Sequence, residues 1–99
     1  MVKKLILLPE AVQDITDAYA WYENQQPGLG EEFLRCVEAC LLAMKRNPDM
    51  YAVIHETYRR ALVRRFPYAI FYEHHKSTIT VYSVFHSSQD PRKWRNRLP

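Results

Sequence analysis

The sequence predicts an α+β domain: an N-terminal strand, an antiparallel helical hairpin packed on a sheet with a three-stranded antiparallel meander, and a short basic C-terminal helix. Three observations predict it. Residues 68–86 alternate with the period of two that an extended chain requires. Residues 9–46 repeat their apolar side chains at spacings of three and four, as a helix with one buried stripe does. Pro27-Gly28, Asn47-Pro48 and Pro67 interrupt these patterns where a chain turns.

The elements follow in order. Val2 to Leu8 is a short apolar run ending at Pro9 and reads as a strand that joins the meander. Pro9 suits the first turn of a helix, where its missing N–H costs nothing, and Glu10 and Asp14 lie near the positive end of the helix dipole. Val12, Ile15, Tyr19 and Tyr22 form the stripe of this helix with Ala11 and Ala18 beside it, and it ends near Gln26. Trp21 and Tyr22 are adjacent, so one of them leaves the stripe, to pack at the rim or to face a partner. A second helix starts at Glu31 and presents Phe33, Leu34, Val37, Cys40, Leu41 and Met44, with Lys45 and Arg46 in its last turn. The short connection makes the two helices an antiparallel hairpin. Met50 to Thr57 is poorly patterned and reads as a loop.

Tyr58 to Phe66 makes the first strand of the meander, and Pro67 turns it. Tyr68, Ile70 and Tyr72 then oppose Ala69 and Phe71, and after a link at His74 to Ser77 a last strand sets Ile79, Val81, Ser83 and Phe85 against Thr80, Tyr82, Val84 and His86. Both faces are apolar, so helices cover one and a tail or partner covers part of the other. Asp90 caps a final helix with Pro91 at its first position, carrying Arg92, Lys93, Trp94, Arg95 and Arg97.

At 99 residues and 47% hydrophobic, residues 1–99 are expected to form one domain with one core. Cys36 and Cys40 share a helix face and are poorly placed to bond to each other; a metal-ligand reading needs more ligands, with His74 and His75 as candidates, and the simpler reading is small core filler. No metal or other cofactor is assigned. Reduced thiols, no signal-like start and no run of membrane-spanning length point to a cytoplasmic protein without a membrane partner. Charge is split along the chain: residues 1–50 hold five Lys/Arg against eight Asp/Glu, a balance of −3, and residues 51–99 hold nine against three, a balance of +6. That asymmetry favours an acidic partner, nucleic acid or an acidic protein segment, over the alternative of a merely solvated surface.

Two stretches carry a resemblance to a known family. RRALVRRFPYAIFY (residues 59–72) is a basic strand followed by Phe66-Pro67-Tyr68 and a strand ending in Tyr72, and VYSVFHSSQDPRKW (residues 81–94) is a strand running into His86 and Asp90-Pro91. The chain resembles the RelE/ParE toxin superfamily of bacterial type II toxin–antitoxin systems, especially its ParE-like plasmid-stabilisation branch. The resemblance covers nearly the whole chain, and PEAVQDITDAYAWYE is similar to the first helix of that family. Where the family pattern has Arg before Asp-Pro, this chain has Gln89.

Two activities are implied. ParE-like members inhibit DNA gyrase by binding it, and RelE-like members are ribosome-dependent messenger-RNA endonucleases; a degenerate, non-toxic antitoxin-binding member is a third reading. The resemblance also implies a cognate antitoxin that wraps and neutralises the toxin, in a toxin–antitoxin hetero-oligomer. Metal-free RNA cleavage needs a base, an acid and cations for the phosphate. His86, Glu56, Arg64 and Arg65 are the candidates. Yet RelE-like nucleases carry Arg after the Tyr corresponding to Tyr68, where this chain has Ala69, and a basic residue where it has Ser87, so the nuclease set is incomplete. The gyrase-binding growth inhibitor is therefore the favoured reading and a non-enzymatic one. Partner binding is assigned to Arg59, Arg60, Arg64, Arg65, Tyr68, Tyr72, Trp94 and Arg95. Bland alternatives stand beside these: His86 orienting the turn into residues 87–91, the tyrosines as core aromatics, His74 and His75 as hairpin decoration.

Overall fold

A computed structural model describes residues 2–98. Its elements are β1 (Lys4–Leu7), α1 (Pro9–Gln25), α2 (Leu29–Arg46), β2 (Val53–His55), β3 (Tyr58–Leu62), β4 (Tyr68–His75), β5 (Thr78–His86) and α3 (Pro91–Arg97). The five strands form one mixed sheet in the order β1-β5-β4-β3-β2, with β1 parallel to β5 and the other pairs antiparallel. The helical hairpin covers one face. α3 lies against the other.

The core lies between hairpin and sheet, where Phe33, Val37 and Met44 of α2 meet Ile70, Tyr72, Ile79, Val81 and Val84. α1 contributes a different stripe from the expected one. Ala11, Ala18 and Tyr22 are buried, Ile15 and Tyr19 are half-buried, and Val12 is exposed. Small alanines let the helix lie close to β5, which a stripe centred on Val12 and Tyr19 would not. Between the helices, Gly28 caps α2 in the left-handed region at φ 89°, where glycine is at ease. Gly30 also has no room for a side chain: a Cβ there would lie 2.8 Å from the Tyr19 carbonyl oxygen. α2 therefore begins at Leu29, two residues before the expected Glu31.

Four further expectations are corrected. The segment read as a loop contains β2, an edge strand too short to show a period. β3 ends at Leu62 rather than Phe66, because Arg65 takes φ 70° and the Val63 N–H donates to the Tyr68 carbonyl at 2.9 Å, closing the turn early. Most consequentially, the alternation of β5 breaks. Phe71 pairs with Ser83 but Tyr72 pairs with Val81, leaving Tyr82 as the extra residue of a β-bulge. Val84 thereby joins Ile79 and Val81 on the helix-covered face, and Ser83 and Phe85 fall on the other. The β4–β5 link has only two residues, Lys76 and Ser77, both at positive φ, the hairpin geometry that matches strand twist.

Candidate functional site: two grooves and a basic tail

β1 is too short to cover the whole of β5. Its ladder stops at Leu7 opposite Val81, and Leu8 N–H makes the last backbone bond to the Val81 carbonyl at 3.1 Å. Beyond that point the outer edge of β5 has no strand beside it among the described residues, and its backbone groups need other partners. Asp14 of α1 accepts the Val84 N–H at 3.0 Å. Arg97 of α3 completes the clamp, donating to Asp14 Oδ1 at 2.7 Å, to Oδ2 at 3.2 Å and to the Tyr82 carbonyl at 3.4 Å. Its guanidinium lies 4.8 Å from the centre of the Phe85 ring, a cation–π contact. The tail is thus pinned, not a free arm. Trp94 adds to this by stacking on Phe71, with ring centres 5.0 Å apart and planes 16° from parallel, and α3 is capped as expected by Asp90, which accepts the Arg92 N–H at 2.9 Å.

Sequence reasoning placed Asp14 only near the helix dipole and missed this clamp. One signal was available: Asp14 lies between Ala11 and Ala18 on the inner stripe, where a carboxylate requires a partner.

Beside the clamp, α1 and the end of β5 enclose an open groove of about 610 Å³. Asp14, Asp17 and Trp21 form its helical wall, and Tyr68, Val84, His86 and Gln89 face them. Of the adjacent aromatics, Tyr22 is the buried one and Trp21 is 57% exposed at the rim. Tyr68 is half-buried, edge-on to Phe33, Tyr22 and His86, and burial raises its pKa. A second groove of about 340 Å³ lies between α2 and the end of β3. Cys36, Ala39 and Ala43 line its floor, Arg46 and Arg64 its rim, and the neighbouring Leu62 is 63% exposed.

The residues assigned to partner binding do not form one patch. Arg59 is occupied internally, donating to the carbonyls of Asp49 and Tyr51 at 3.0 and 2.6 Å and lying 3.7 Å from the Asp49 carboxylate. Tyr72 is fully buried and donates to the Pro48 carbonyl at 2.6 Å, with burial pushing its pKa to about 12. These two, with His74 2.9 Å from Asp49, pin the loop before β2. The His74 hydrogen bond, with Arg59 nearby, holds Asp49 below the usual carboxylate range. Arg65 faces Glu32 at 3.7 Å. Arg60 and Arg64 are exposed, and Arg95 lies over Trp94 at 5.7 Å.

The nuclease candidates are likewise dispersed. Glu56 sits in the β2–β3 turn at one end of the sheet, whereas His86, Arg64 and Arg65 are at the other. The eight residues of β4 separate the two ends, roughly 20 Å or more at ~3.3 Å per residue. His86 Nδ1 lies 3.0 Å from the Ser88 N–H, which donates to it, and 2.7 Å from Ser88 Oγ, so the ring orients the following turn. His74 is directed to Asp49 rather than to the cysteines, and Cys40 is buried with its thiol pushed up to about 11. Among the described residues no group of three or more His, Cys, Asp or Glu is placed to share a metal ion, and no described helix is long and apolar enough to cross a membrane.

By fold, then, this is a mixed five-stranded α+β domain with a helical hairpin on one face and a cationic tail helix on the other. The chain belongs to the ParE toxin family of type II toxin-antitoxin systems, parDE, whose model matches residues 5–91. Among solved structures, a chain described as the chromosomal ParDE TA system from P. aeruginosa superposes with a TM-score of 0.63 at 15% identity, over 84% of this chain and 94% of that one. No curated protein matches the sequence.

Proposed function

We propose that this toxin-family chain is a growth inhibitor that acts by binding DNA gyrase, and that a cognate antitoxin neutralises it. The observation that carries the choice of binder over nuclease is the dispersal of the chemistry: a base at Glu56 and an acid at His86 cannot reach one phosphate across the length of β4. The antitoxin half of the proposal is supported by charge and shape. The second half of the sequence carries a balance of +6. At the end of β3, Arg46 and Arg64 rim a groove floored by small side chains. Such a groove suits the apolar face of an acidic amphipathic segment that folds on binding.

The test is induced expression in a bacterial host with two readouts, gyrase-linked DNA breaks and cleavage of messages on translating ribosomes. Breaks with intact message are the expected result. Cleaved message without breaks would replace the proposal with a RelE-type nuclease, and unaffected growth would indicate a degenerate member. Arg60→Glu with Arg64→Glu, both exposed and outside the ion pairs among the described residues, is expected to weaken antitoxin or target binding while leaving the fold intact, read by co-purification and by thermal unfolding. Unchanged affinity and toxicity would remove these arginines from the account.

A further inference from the structure

The groove between α1 and β5 has the opposite character to the arginine-rimmed groove beside α2. The chain carries +3 overall, yet two carboxylates, Asp14 and Asp17, stand on one wall of this groove. Asp17 and Trp21 are four residues apart on α1, so carboxylate and indole are neighbours on the same helix face. Asp17 is exposed and its only polar partner among the described residues is the Gln13 amide at 2.8 Å, a neutral donor that a cation can replace. Trp21 is a large aromatic left 57% exposed although Tyr22 beside it is buried.

The chain itself shows which chemistry this wall accepts. One turn before Asp17, Asp14 already holds a guanidinium: Arg97 forks onto both of its carboxylate oxygens while lying over the Phe85 ring. Asp17 and Trp21 repeat that pairing of carboxylate and aromatic face with no cation among the described residues between them.

We propose that the α1–β5 groove is a docking site for an arginine presented by a protein partner, its guanidinium paired with Asp17 and stacked on Trp21. Arginine fits better than lysine because its planar fork pairs with a carboxylate and lies flat on a ring. An acidic segment is disfavoured in the groove by the Asp17 carboxylate that favours a basic one, Asp14 being already paired with Arg97. The site therefore lies apart from the arginine-rimmed groove beside α2, and the molecule offers two surfaces of opposite charge preference. This inference goes beyond the antitoxin and gyrase proposal and does not depend on it.

The experiment is an NMR titration of the full chain with the peptide acetyl-Gly-Arg-Leu-Arg-Gly-amide, using its glutamate counterpart, acetyl-Gly-Glu-Leu-Glu-Gly-amide, as the control. Saturable shifts are expected at the Asp17 amide and the Trp21 indole, with affinity about tenfold above the control, equivalent to about 1.4 kcal/mol. Asp17→Asn and Trp21→Ala, both at exposed positions, should each lower the affinity about fivefold while the rest of the spectrum stays dispersed. Equal binding of the two peptides would overturn the proposal. So would shifts confined to other surfaces, or two variants that bind as the parent does.

Discussion

Replacing Asp14 tests the edge clamp most directly, because one side chain serves two groups. Asp14→Ala leaves the Val84 N–H without its acceptor and the Arg97 guanidinium without its counter-charge. The Asp14 side chain is 11% exposed and that of Arg97 30%, so the pair is neither buried outright nor free in water. A hydrogen bond to a charged group contributes about 1.5–3 kcal/mol and an orphaned buried donor costs about 1–3 kcal/mol. Because Arg97 can turn partly toward water, the lower half of the summed range of about 2.5–6 kcal/mol applies, and Asp14→Ala should cost about 2.5–4 kcal/mol. Asp14→Asn keeps an acceptor for Val84 and loses only the charge, about 1–1.5 kcal/mol. Arg97→Ala leaves Asp14 bonded to Val84 and nearer to water, about 1 kcal/mol. Urea unfolding gives each value from the midpoint at constant slope. The ordering matters more than any single figure. If Arg97→Ala costs more than Asp14→Ala, or if Asp14→Ala falls within about 0.5 kcal/mol of the parent, surface noise by the usual standard, the clamp does not hold the edge.

The Cys40 thiol, pushed up to about 11 by burial, is about one part in a thousand thiolate at pH 8, so a thiol reagent should modify Cys36 in the native protein and Cys40 only after unfolding. Tyr72 has a folded pKa of about 12 against an ordinary 10.0, so its contribution is whole below pH 10 and is lost as pH rises through about 12; Tyr72→Phe should flatten alkaline unfolding in that window by up to about 1.4 kcal/mol per pH unit, with Tyr82, also near 12, supplying the residual slope. Ser83 is fully buried and its hydroxyl has no partner among the described residues, so Ser83→Ala should be neutral or stabilising by about 1 kcal/mol in chemical denaturation, and a loss of stability would reveal a bond that the hydroxyl makes.

Much of the architecture was legible because it depends on local pattern. The α2 face, the β4–β5 hairpin and the Asp90-Pro91 helix start each follow from spacing and caps within a few residues. What was not legible depends on residues far apart or on counts too small to show a period. β2 has three residues, and no alternation can be read from three. Tyr82 looks like any alternating position until its neighbour Tyr72 is seen opposite Val81. The α1 stripe was misjudged because hydrophobicity favoured Val12 and Tyr19, while the close approach to β5 favours Ala11 and Ala18. Of the assigned partner residues, the arginines could be counted but their employment could not, since Arg59 and Arg65 find their carboxylates across turns and on another helix.

That employment changes how the basic half should be understood. The hairpin supplies acid and the meander and tail supply base, so folding brings opposite charges together and consumes part of the apparent +6. Among the described residues, Arg59, Arg65, Arg92 and Arg97 are each within 4 Å of a carboxylate, whereas Arg60, Arg64, Lys76, Lys93 and Arg95 are not. The second group, exposed to water, sets the field that an approaching partner meets, and the first group mainly holds segments in place. Substitutions in the two groups should therefore separate: Arg59→Ala should loosen the loop before β2 and register in stability, while Arg64→Ala should register in the salt dependence of association. Of these free cations Arg64 rims the groove beside α2, where its charge would attract a partner with an acidic face. The α1–β5 groove stays a separate feature because its remaining carboxylate at Asp17 has no cation among the described residues to neutralise it.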